Sequence, residues 1–199
     1  MRFTLLLVTA LVGFILLAML GGSAASSDAA VILYFVGWRA DNPETTGLVI
    51  SFTQLGDGPV LLAIGAAVVA WLALKRAWRD ALVLALVLGG GRIGIEALKL
   101  VVDRPRPSFD AHPVETFSHS FPSGHAGNSM ITFGALALVL APPAWRRRAL
   151  AGGVALALAI GATRPMLGVH WPSDVIGGWL FGLVLLSLLW RWQSARTEA

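Results

Sequence analysis

Long apolar segments, separated by short polar ones, recur along this 199-residue chain and constrain its fold more than any other feature. An α-helix needs about 20 predominantly apolar residues to cross the hydrocarbon core of a membrane. Only 13% of the residues are charged, against roughly 25% in soluble domains, and the mean hydropathy is +0.74. The sequence therefore predicts an all-α, polytopic membrane protein, a bundle of six transmembrane helices. The six segments are residues 4–21, 59–74, 81–98, 125–140, 149–162 and 174–190.

Two other apolar segments, residues 29–38 and 47–55, are too short to cross a membrane. The first carries Tyr34 and Trp38, residue types that are enriched where a membrane meets water. We therefore expect two short interfacial helices on the outer surface between the first two spans, with an ordinary connecting loop as the alternative. No internal repeat divides the chain, so we predict a single domain over residues 1–199.

The first apolar segment allows two interpretations. Residues 4–21 are followed by Ser23-Ala24-Ala25, small residues of the kind found at signal-peptide cleavage sites, so the segment is compatible with a cleaved signal peptide. Its length equally suits a first transmembrane helix. We favour the retained helix because it gives an even number of spans and places both chain termini on one side of the membrane.

Basic residues cluster in the short segments between the predicted helices. With the N-terminus inside, nine of the fifteen lysines and arginines fall on the cytoplasmic side, in agreement with the positive-inside rule. Short clusters between apolar segments also argue against a nucleic-acid partner, which would need a continuous basic surface. The sequence therefore predicts cytoplasmic N- and C-termini. The nine residues are Arg2, Lys75, Arg76, Arg79, Arg146, Arg147, Arg148, Arg191 and Arg196.

Several cations break this rule and fall at the outer ends of the predicted spans. Lys99, Arg106 and Arg164 belong to three polar clusters that the six-helix topology brings to one side of the membrane. Arginine offers forked donors that match phosphate oxygens, and lysine supplies a mobile point charge. Ser123 and Gly124 precede the fourth span, where the free N–H groups of a helix N-terminus favour an anion. The predicted ligand is a phosphate or another tetrahedral oxyanion.

Two histidines in the same clusters predict chemistry on that anion. His170 and Asp174 are four residues apart, so the carboxylate can accept a hydrogen bond from one imidazole nitrogen and leave the other nucleophilic. His125, at the start of the fourth span, can protonate a leaving group and then activate water. The chain has no cysteine and no compact carboxylate cluster suited to Mg²⁺, so we predict no metal and no other cofactor.

These residues form three ordered motifs between positions 99 and 174. The first, K-x6-R-P, comprises Lys99, Arg106 and Pro107, and the second, P-S-G-H, ends at His125. The third reads T-R-x5-H-x3-D and begins at Thr163. The chain thereby resembles the PAP2 family, the type 2 phosphatidic acid phosphatase and vanadium haloperoxidase superfamily. Thr163 departs from the serine that is usual there but keeps a hydroxyl group.

The resemblance implies a role for each motif residue. His170 is expected to be the nucleophile that forms a phosphohistidine, with Asp174 orienting it and His125 acting as general acid and base. The residues expected to hold the phosphate are Lys99, Arg106, Ser123, Gly124 and Arg164.

Other polar residues lie outside the motifs. Arg92 and Glu96 are one helical turn apart in the third span, and we expect them to form an ion pair. Arg104 lies two residues before a motif arginine, and a contact with the substrate is the minority interpretation for it. His112 and His119 match no motif, so structural roles are expected for both.

The resemblance implies a compact lipid phosphatase of the bacterial inner membrane, with its active site facing the periplasm. Family members of this size act on undecaprenyl diphosphate, phosphatidylglycerol phosphate or phosphatidic acid, and we favour the isoprenoid diphosphate. A lipid-to-lipid phosphotransferase with the same phosphohistidine is one alternative, and a non-catalytic transporter or scaffold is another. The expected partners are a membrane lipid phosphate and the bilayer; the sequence leaves the oligomeric state open.

Overall fold

The computed structural model describes residues 2–22 and 25–197, and their regular structure is helical throughout, which confirms the all-α prediction. Eight α-helices follow one another, with a short 3₁₀ helix (Gln54–Gly56) between the third and the fourth. The helices are α1 (Arg2–Leu20), α2 (Ser26–Asp41), α3 (Pro43–Thr53), α4 (Gly58–Leu74), α5 (Trp78–Val102), α6 (Gly124–Leu140), α7 (Arg146–Met166) and α8 (Pro172–Thr197).

Three helices of the described chain, α5, α7 and α8, are long and apolar enough to cross a membrane. A fourth span is obtained if the residues 43–56 and α4, which meet at an angle of 42°, are counted together. The apolar part of α1 (Leu7–Leu20) and α6 are shorter apolar helices. Each of the six predicted segments therefore forms a helix, whereas a count of six spans stays a prediction.

Helix α6 forms the centre of the bundle. It packs most extensively against α7 and α8, and then against α5 and α4. Nine of its residues are buried, among them Met130, Ala135 and Leu138, which join the apolar core of the bundle. Small residues permit this packing: a side chain at Gly178 of α8 would approach the backbone nitrogen of Gly127 within 3.0 Å. Close backbone approach at small residues is typical of helix packing in membranes.

The segment before α4 enters the bundle instead of lying on its outer surface. Thr53 at the end of α3 is only 2% exposed, and Gly56 is buried against Ile160 of α7 and His125 of α6. The prediction of a purely interfacial hairpin is therefore wrong for this last turn. The break between the 3₁₀ helix and α4 places Asp57 at the end of the bundle, where irregular backbone is tolerated because it lines a cavity.

Buried polar contacts tie the first helices to the start of α8. Asp28, in the first turn of α2, is 5% exposed and accepts a hydrogen bond from the backbone N–H of Gly22 at 2.7 Å. It also accepts bonds from the backbone N–H and the hydroxyl group of Ser173. The possible cleavage site at positions 23–25 falls largely outside the described residues, whereas α1 itself packs along α8.

An irregular loop of residues 103–123 connects α5 to α6 and covers the same end of the bundle. Its ends are fixed by a hydrogen bond from Ser120 N to Arg104 O at 2.8 Å and by one from the indole of Trp171 to Pro105 O at 2.9 Å. Phe121 is fully buried against Phe14 of α1, with ring centroids 5.2 Å apart. The loop is thereby held against the helix ends that carry the three motifs.

Candidate active site

A cavity of about 580 Å³ opens at the end of the bundle where α5 and α7 end and α4 and α6 begin. Six of the eight predicted site residues line it, although they are spread over more than 70 positions of the chain. The other two, Ser123 and Asp174, lie behind its wall, with less than 1% of either residue exposed. The six lining residues are Lys99, Arg106, Gly124, His125, Arg164 and His170.

The imidazole of His170 connects the cavity to a buried carboxylate. Its Nε2 atom lies 3.0 Å from Nη1 of Arg106, and its Nδ1 atom lies 3.4 Å from Oδ2 of Asp174. A guanidinium can only donate hydrogen bonds, so Nε2 must accept, and the ring proton of a neutral imidazole is then on Nδ1. This tautomer directs the lone pair of Nε2 towards the cavity.

Asp174 is held by donors on several sides. It is completely buried, and its Oδ1 atom accepts a hydrogen bond from Arg104 at 2.7 Å. Its Oδ2 atom accepts from the hydroxyl of Ser120 and from the backbone N–H of Trp171. Removing such a carboxylate from water is unfavourable unless it is paired and fully hydrogen-bonded, and here both conditions are met.

Arg104 supports Asp174 and does not line the cavity. Its side chain is only 7% exposed and forms the ion pair with Asp174. A second nitrogen of the guanidinium donates to backbone carbonyls at the end of α1, including that of Ala18 at 2.9 Å. Its guanidinium also stacks over the ring of Phe121, 4.5 Å from the centroid. The arginine therefore connects α1 to the carboxylate behind His170.

Burial and neighbouring cations determine the protonation of His170. Its side chain is 3% exposed, and burial lowers the pKa of His170 well below its usual range. The guanidinium of Arg106 adds to this effect because it repels a second positive charge. The free site thus holds His170 as a neutral imidazole, the form required for nucleophilic attack.

His125 stands in the first turn of α6 and faces a carboxylate from a distant part of the chain. Its Nε2 atom lies 2.8 Å from Oδ1 of Asp57, in an orientation outside hydrogen-bond geometry. Asp57 precedes α4 at the 42° break and lines the cavity with a half-exposed side chain. The site thus contains two histidine–aspartate pairs, one between residues four positions apart at the entry to α8 and one across 68 positions of sequence.

Lys99 approaches the cavity from the last turn of α5. Its ammonium group donates to Ser118 at 2.8 Å and to Glu96 at 3.1 Å. A side chain at Gly124 would lie 3.5 Å from this ammonium group, so the glycine leaves space between the lysine and the N-terminus of α6. The ion pair of Glu96 is therefore with Lys99, and the predicted pair with Arg92 is wrong because the lysine, one turn away, reaches the carboxylate instead.

Buried donors without partners line the remaining side of the cavity or lie directly behind it. Arg164 donates from Nη1 to Thr53 at 2.9 Å, whereas its Nε atom has no hydrogen-bond partner. The hydroxyl of Ser123 is likewise buried and unpartnered. Thr163 binds Thr53, with the two hydroxyl oxygens 2.7 Å apart, so its hydroxyl supports the position of Arg164. Unsatisfied buried donors beside cations fit an anionic ligand with several acceptor oxygens.

The two histidines outside the motifs do not line this cavity. The ring of His112 bonds the carbonyl of Pro107, and that of His119 lies 2.6 Å from a carboxylate oxygen of Asp103 near the surface. Across residues 2–22 and 25–197 no three histidine, aspartate or glutamate side chains converge in an arrangement suited to a metal ion.

Several residues that support the site are absent from the motifs. Arg104 occupies a variable position inside the first motif, and Ser120 lies two residues before the second motif. Their role becomes visible only with the burial of Asp174, which needs such partners. Thr53 and Asp57 come from a segment about 45 residues before the first motif. Only the three-dimensional fold brings these two residues to the cavity.

The chain is similar to known phosphatases in sequence and in structure. The sequence model of the PAP2 superfamily matches residues 80–198. The chain is 32% identical to phosphatidylglycerophosphatase B of Bacillus subtilis over 170 residues, which cover 83% of this chain and 80% of that protein. It is 36% identical to an undecaprenyl-diphosphatase of Sulfolobus acidocaldarius over 105 residues, or 50% of this chain and 46% of the relative.

A solved structure has the same fold over nearly the whole length. The crystal structure of a transmembrane PAP2-type phosphatidylglycerolphosphate phosphatase from Bacillus subtilis superimposes with a TM-score of 0.84 and 30% sequence identity. The match covers 95% of this chain and 96% of that one. The motifs, the cavity and these similarities lead to one conclusion: the chain belongs to the PAP2 superfamily and is a membrane phosphatase.

Proposed function

We propose that this phosphatase removes phosphate from a membrane lipid through a phosphohistidine formed on His170, without a metal ion. The observation that carries the proposal is the convergence of His125 and His170 with three cations on one cavity. The cations Lys99, Arg106 and Arg164 would bind the oxygens of the transferring phosphate and stabilise the charge that develops on them. Among the described residues, no group of three or more histidine, aspartate or glutamate side chains is arranged to hold a metal ion.

An apolar groove beside the cavity supports a lipid substrate. The groove has a volume of about 300 Å³, lies between α4 and α5, and is lined by residues such as Leu61, Val69 and Leu88. It shares Arg92 and Asn128 with the catalytic cavity. A substrate can thus place its phosphate among the cations while the adjoining hydrocarbon lies along the groove and in the bilayer.

In the first step, the lone pair of His170 Nε2 attacks phosphorus, and the bond from phosphorus to the leaving oxygen breaks. The electron pair of that bond stays on the leaving oxygen, which takes a proton from the protonated ring of His125. As His170 acquires positive charge, Asp174 accepts the Nδ1 proton in a hydrogen bond and stabilises the cation. The resulting species is a phosphohistidine.

In the second step, His125 acts as a base and removes a proton from water, whose oxygen attacks phosphorus. The bond between phosphorus and Nε2 breaks and returns its electrons to His170, which releases inorganic phosphate. Asp57, 2.8 Å from Nε2 of His125, stabilises the imidazolium that this histidine forms in each cycle. His170 with Asp174 thus provides the nucleophile, and His125 with Asp57 provides the acid and the base.

We place the active site on the outer side of a bacterial inner membrane. The basic turns after α4 and α6 lie at the opposite end of the helices from the cavity, and the positive-inside rule assigns them to the cytoplasm. The absence of cysteine makes this testable with single cysteines introduced at Ser108 or at Ala77. A membrane-impermeant maleimide should label position 108 in intact cells and position 77 only after lysis; the reverse pattern would invert the topology.

The activity is tested with purified protein in detergent and EDTA, by release of inorganic phosphate from an isoprenoid diphosphate, phosphatidylglycerol phosphate and phosphatidic acid. We expect turnover that persists in EDTA, is abolished by His170→Gln and is unaffected by His112→Gln. Analysis of the lipid products separates hydrolysis from transfer of phosphate to a second lipid. No phosphate release from any of the three lipids would refute the proposal.

A further inference from the structure

Arg92 lies at the junction of the catalytic cavity and the apolar groove, and the proposed mechanism leaves it unused. It is an exposed residue of α5 that lines both spaces. It is seven residues before Lys99, which places it about 10 Å away along the same face of the helix. A substrate that reaches from the groove to the catalytic cations would therefore pass Arg92.

The charge of Arg92 is not compensated by the carboxylate expected to pair with it. Glu96, one turn away, binds Lys99, and no ion pair joins Arg92 to any residue of the described chain. Its guanidinium instead lies against Gly58, where an added Cβ atom would approach Nη1 within 2.8 Å. Gly58 is the first residue of α4, so the positive end of that helix faces the same place.

An arginine on a predicted membrane helix is unfavourable without a partner and usually marks a functional site. Arg92 and the N-terminus of α4 together attract negative charge at a position between the reacting phosphate and the hydrocarbon chain. A negatively charged group of the lipid next to the reacting phosphate would supply an anion there in each turnover.

We propose that Arg92 binds the second, lipid-proximal phosphate of substrates that carry two. An isoprenoid diphosphate has such a group, and so does phosphatidylglycerol phosphate, whose phosphodiester lies between the terminal phosphate and the acyl chains. Phosphatidic acid has a single phosphate and presents nothing to this arginine. This assignment rests on the proposed function and adds to it the class of lipid that the site would select.

The test compares Arg92→Gln with the wild type on the same three lipids in detergent. We expect kcat/KM to fall about tenfold or more on isoprenoid diphosphate and on phosphatidylglycerol phosphate, the loss typical of one charge-assisted hydrogen bond. On phosphatidic acid it should stay within about twofold. Arg92→Lys should recover part of the lost activity. Arg148→Gln, at the end of α7 far from the cavity, is the control for loss of a cation and should leave kcat/KM unchanged on all three lipids.

An equal loss on all three lipids, or none on any, would overturn the assignment. A second measurement does not depend on turnover: thermal unfolding of the protein with methylenediphosphonate or with methylphosphonate. We expect methylenediphosphonate to stabilise the wild type more than Arg92→Gln, and methylphosphonate to stabilise both equally. If the wild type hydrolyses no lipid, the proposed function fails; equal stabilisation of both proteins by methylenediphosphonate refutes the subsite independently.

Discussion

The two histidine–aspartate pairs of the proposed active site are built in different ways. His170 and Asp174 are four residues apart at the start of α8, and the aspartate is enclosed by donors. His125 and Asp57 come from α6 and from the break before α4, and the aspartate is half-exposed in the cavity. The first pair is rigid and local, whereas the second depends on how two helices are placed.

This difference matches the work proposed for each pair. A nucleophile needs one fixed tautomer, which a buried and fully hydrogen-bonded carboxylate provides. An acid–base group must exchange protons with the leaving group and with water, which requires contact with the open cavity. In the local pair, Asp174 thus positions the nucleophile His170. In the long-range pair, His125 with Asp57 carries out proton transfer.

The largest expected effects separate the two histidines by the substrate used. His170→Gln and His125→Gln should each lower kcat on a lipid phosphate by at least about a hundredfold. With a lipid analogue that carries a nitrophenolate leaving group, which departs without protonation, formation of the phosphoenzyme should recover in His125→Gln and not in His170→Gln. Rapid-quench measurement of the acid-labile phosphoenzyme checks this, and equal recovery in both would contradict the division of roles.

Substituting either aspartate should lower kcat no more than substituting its histidine partner, and the loss should be larger for Asp174 than for Asp57. Asp174→Asn should lower kcat about a hundredfold because it disturbs the tautomer of His170, whereas Asp57→Asn should lower it about tenfold. Asp103→Asn removes the carboxylate beside His119, outside the catalytic cavity, and is the matched control. Steady-state kinetics on one lipid decide the order, and a larger loss for Asp57→Asn would reverse the comparison.

Arg104→Gln should affect stability more than turnover. It removes one partner of a buried ion pair, which is destabilising by about 3–5 kcal/mol because it leaves the charge of Asp174 uncompensated. The control variant Asp110→Asn breaks the more exposed pair with Arg39 and leaves the arginine's other hydrogen bond intact, so about 1 kcal/mol or less is expected. Thermal unfolding in one detergent compares the two, and kcat of Arg104→Gln should fall less than that of His170→Gln.

The smallest effect concerns the protonation of His170 in the free protein. Because burial and Arg106 lower its pKa, its ring should stay neutral as the pH falls through 6.5, where an exposed histidine is protonated. The unfolded chain then binds one more proton than the folded chain, so His170 makes the free energy of unfolding decrease below about pH 6.5. Nitrogen-15 NMR of labelled histidine, assigned with His170→Gln, follows the ring directly. Arg106→Gln should move its titration to higher pH.

The sequence predicts the local parts of this molecule well, since their determinants lie close together. Six apolar segments become helices, and the four-residue spacing of His170 and Asp174 predicts a contact that the bend leading into α8 produces. The polar motifs at helix ends indicate an anion site because clustered cations at that depth need a ligand. These inferences require only periodicity, charge and chemistry.

The parts that sequence reasoning missed all depend on distant contacts. Nothing around Asp57 indicates that a 42° break would direct it to His125 instead of leaving it in a surface turn. Glu96 has Arg92 four residues before it and Lys99 three residues after it, both within one turn, and the choice between them depends on the surroundings. Arg104 looks like one more loop cation until the burial of Asp174 is known.

The hydrogen bonds from Arg104 to the last carbonyls of α1 have a consequence for expression and engineering. Residues that resemble a disposable secretion leader provide half of the acceptors of the arginine that neutralises Asp174. A shortened gene product beginning after Gly22 would keep every family motif and the Arg104–Asp174 pair, yet lose the carbonyl groups that hold this arginine in place. This chain, trimmed at this point for overproduction, would thus yield a protein that keeps its motifs but is less stable.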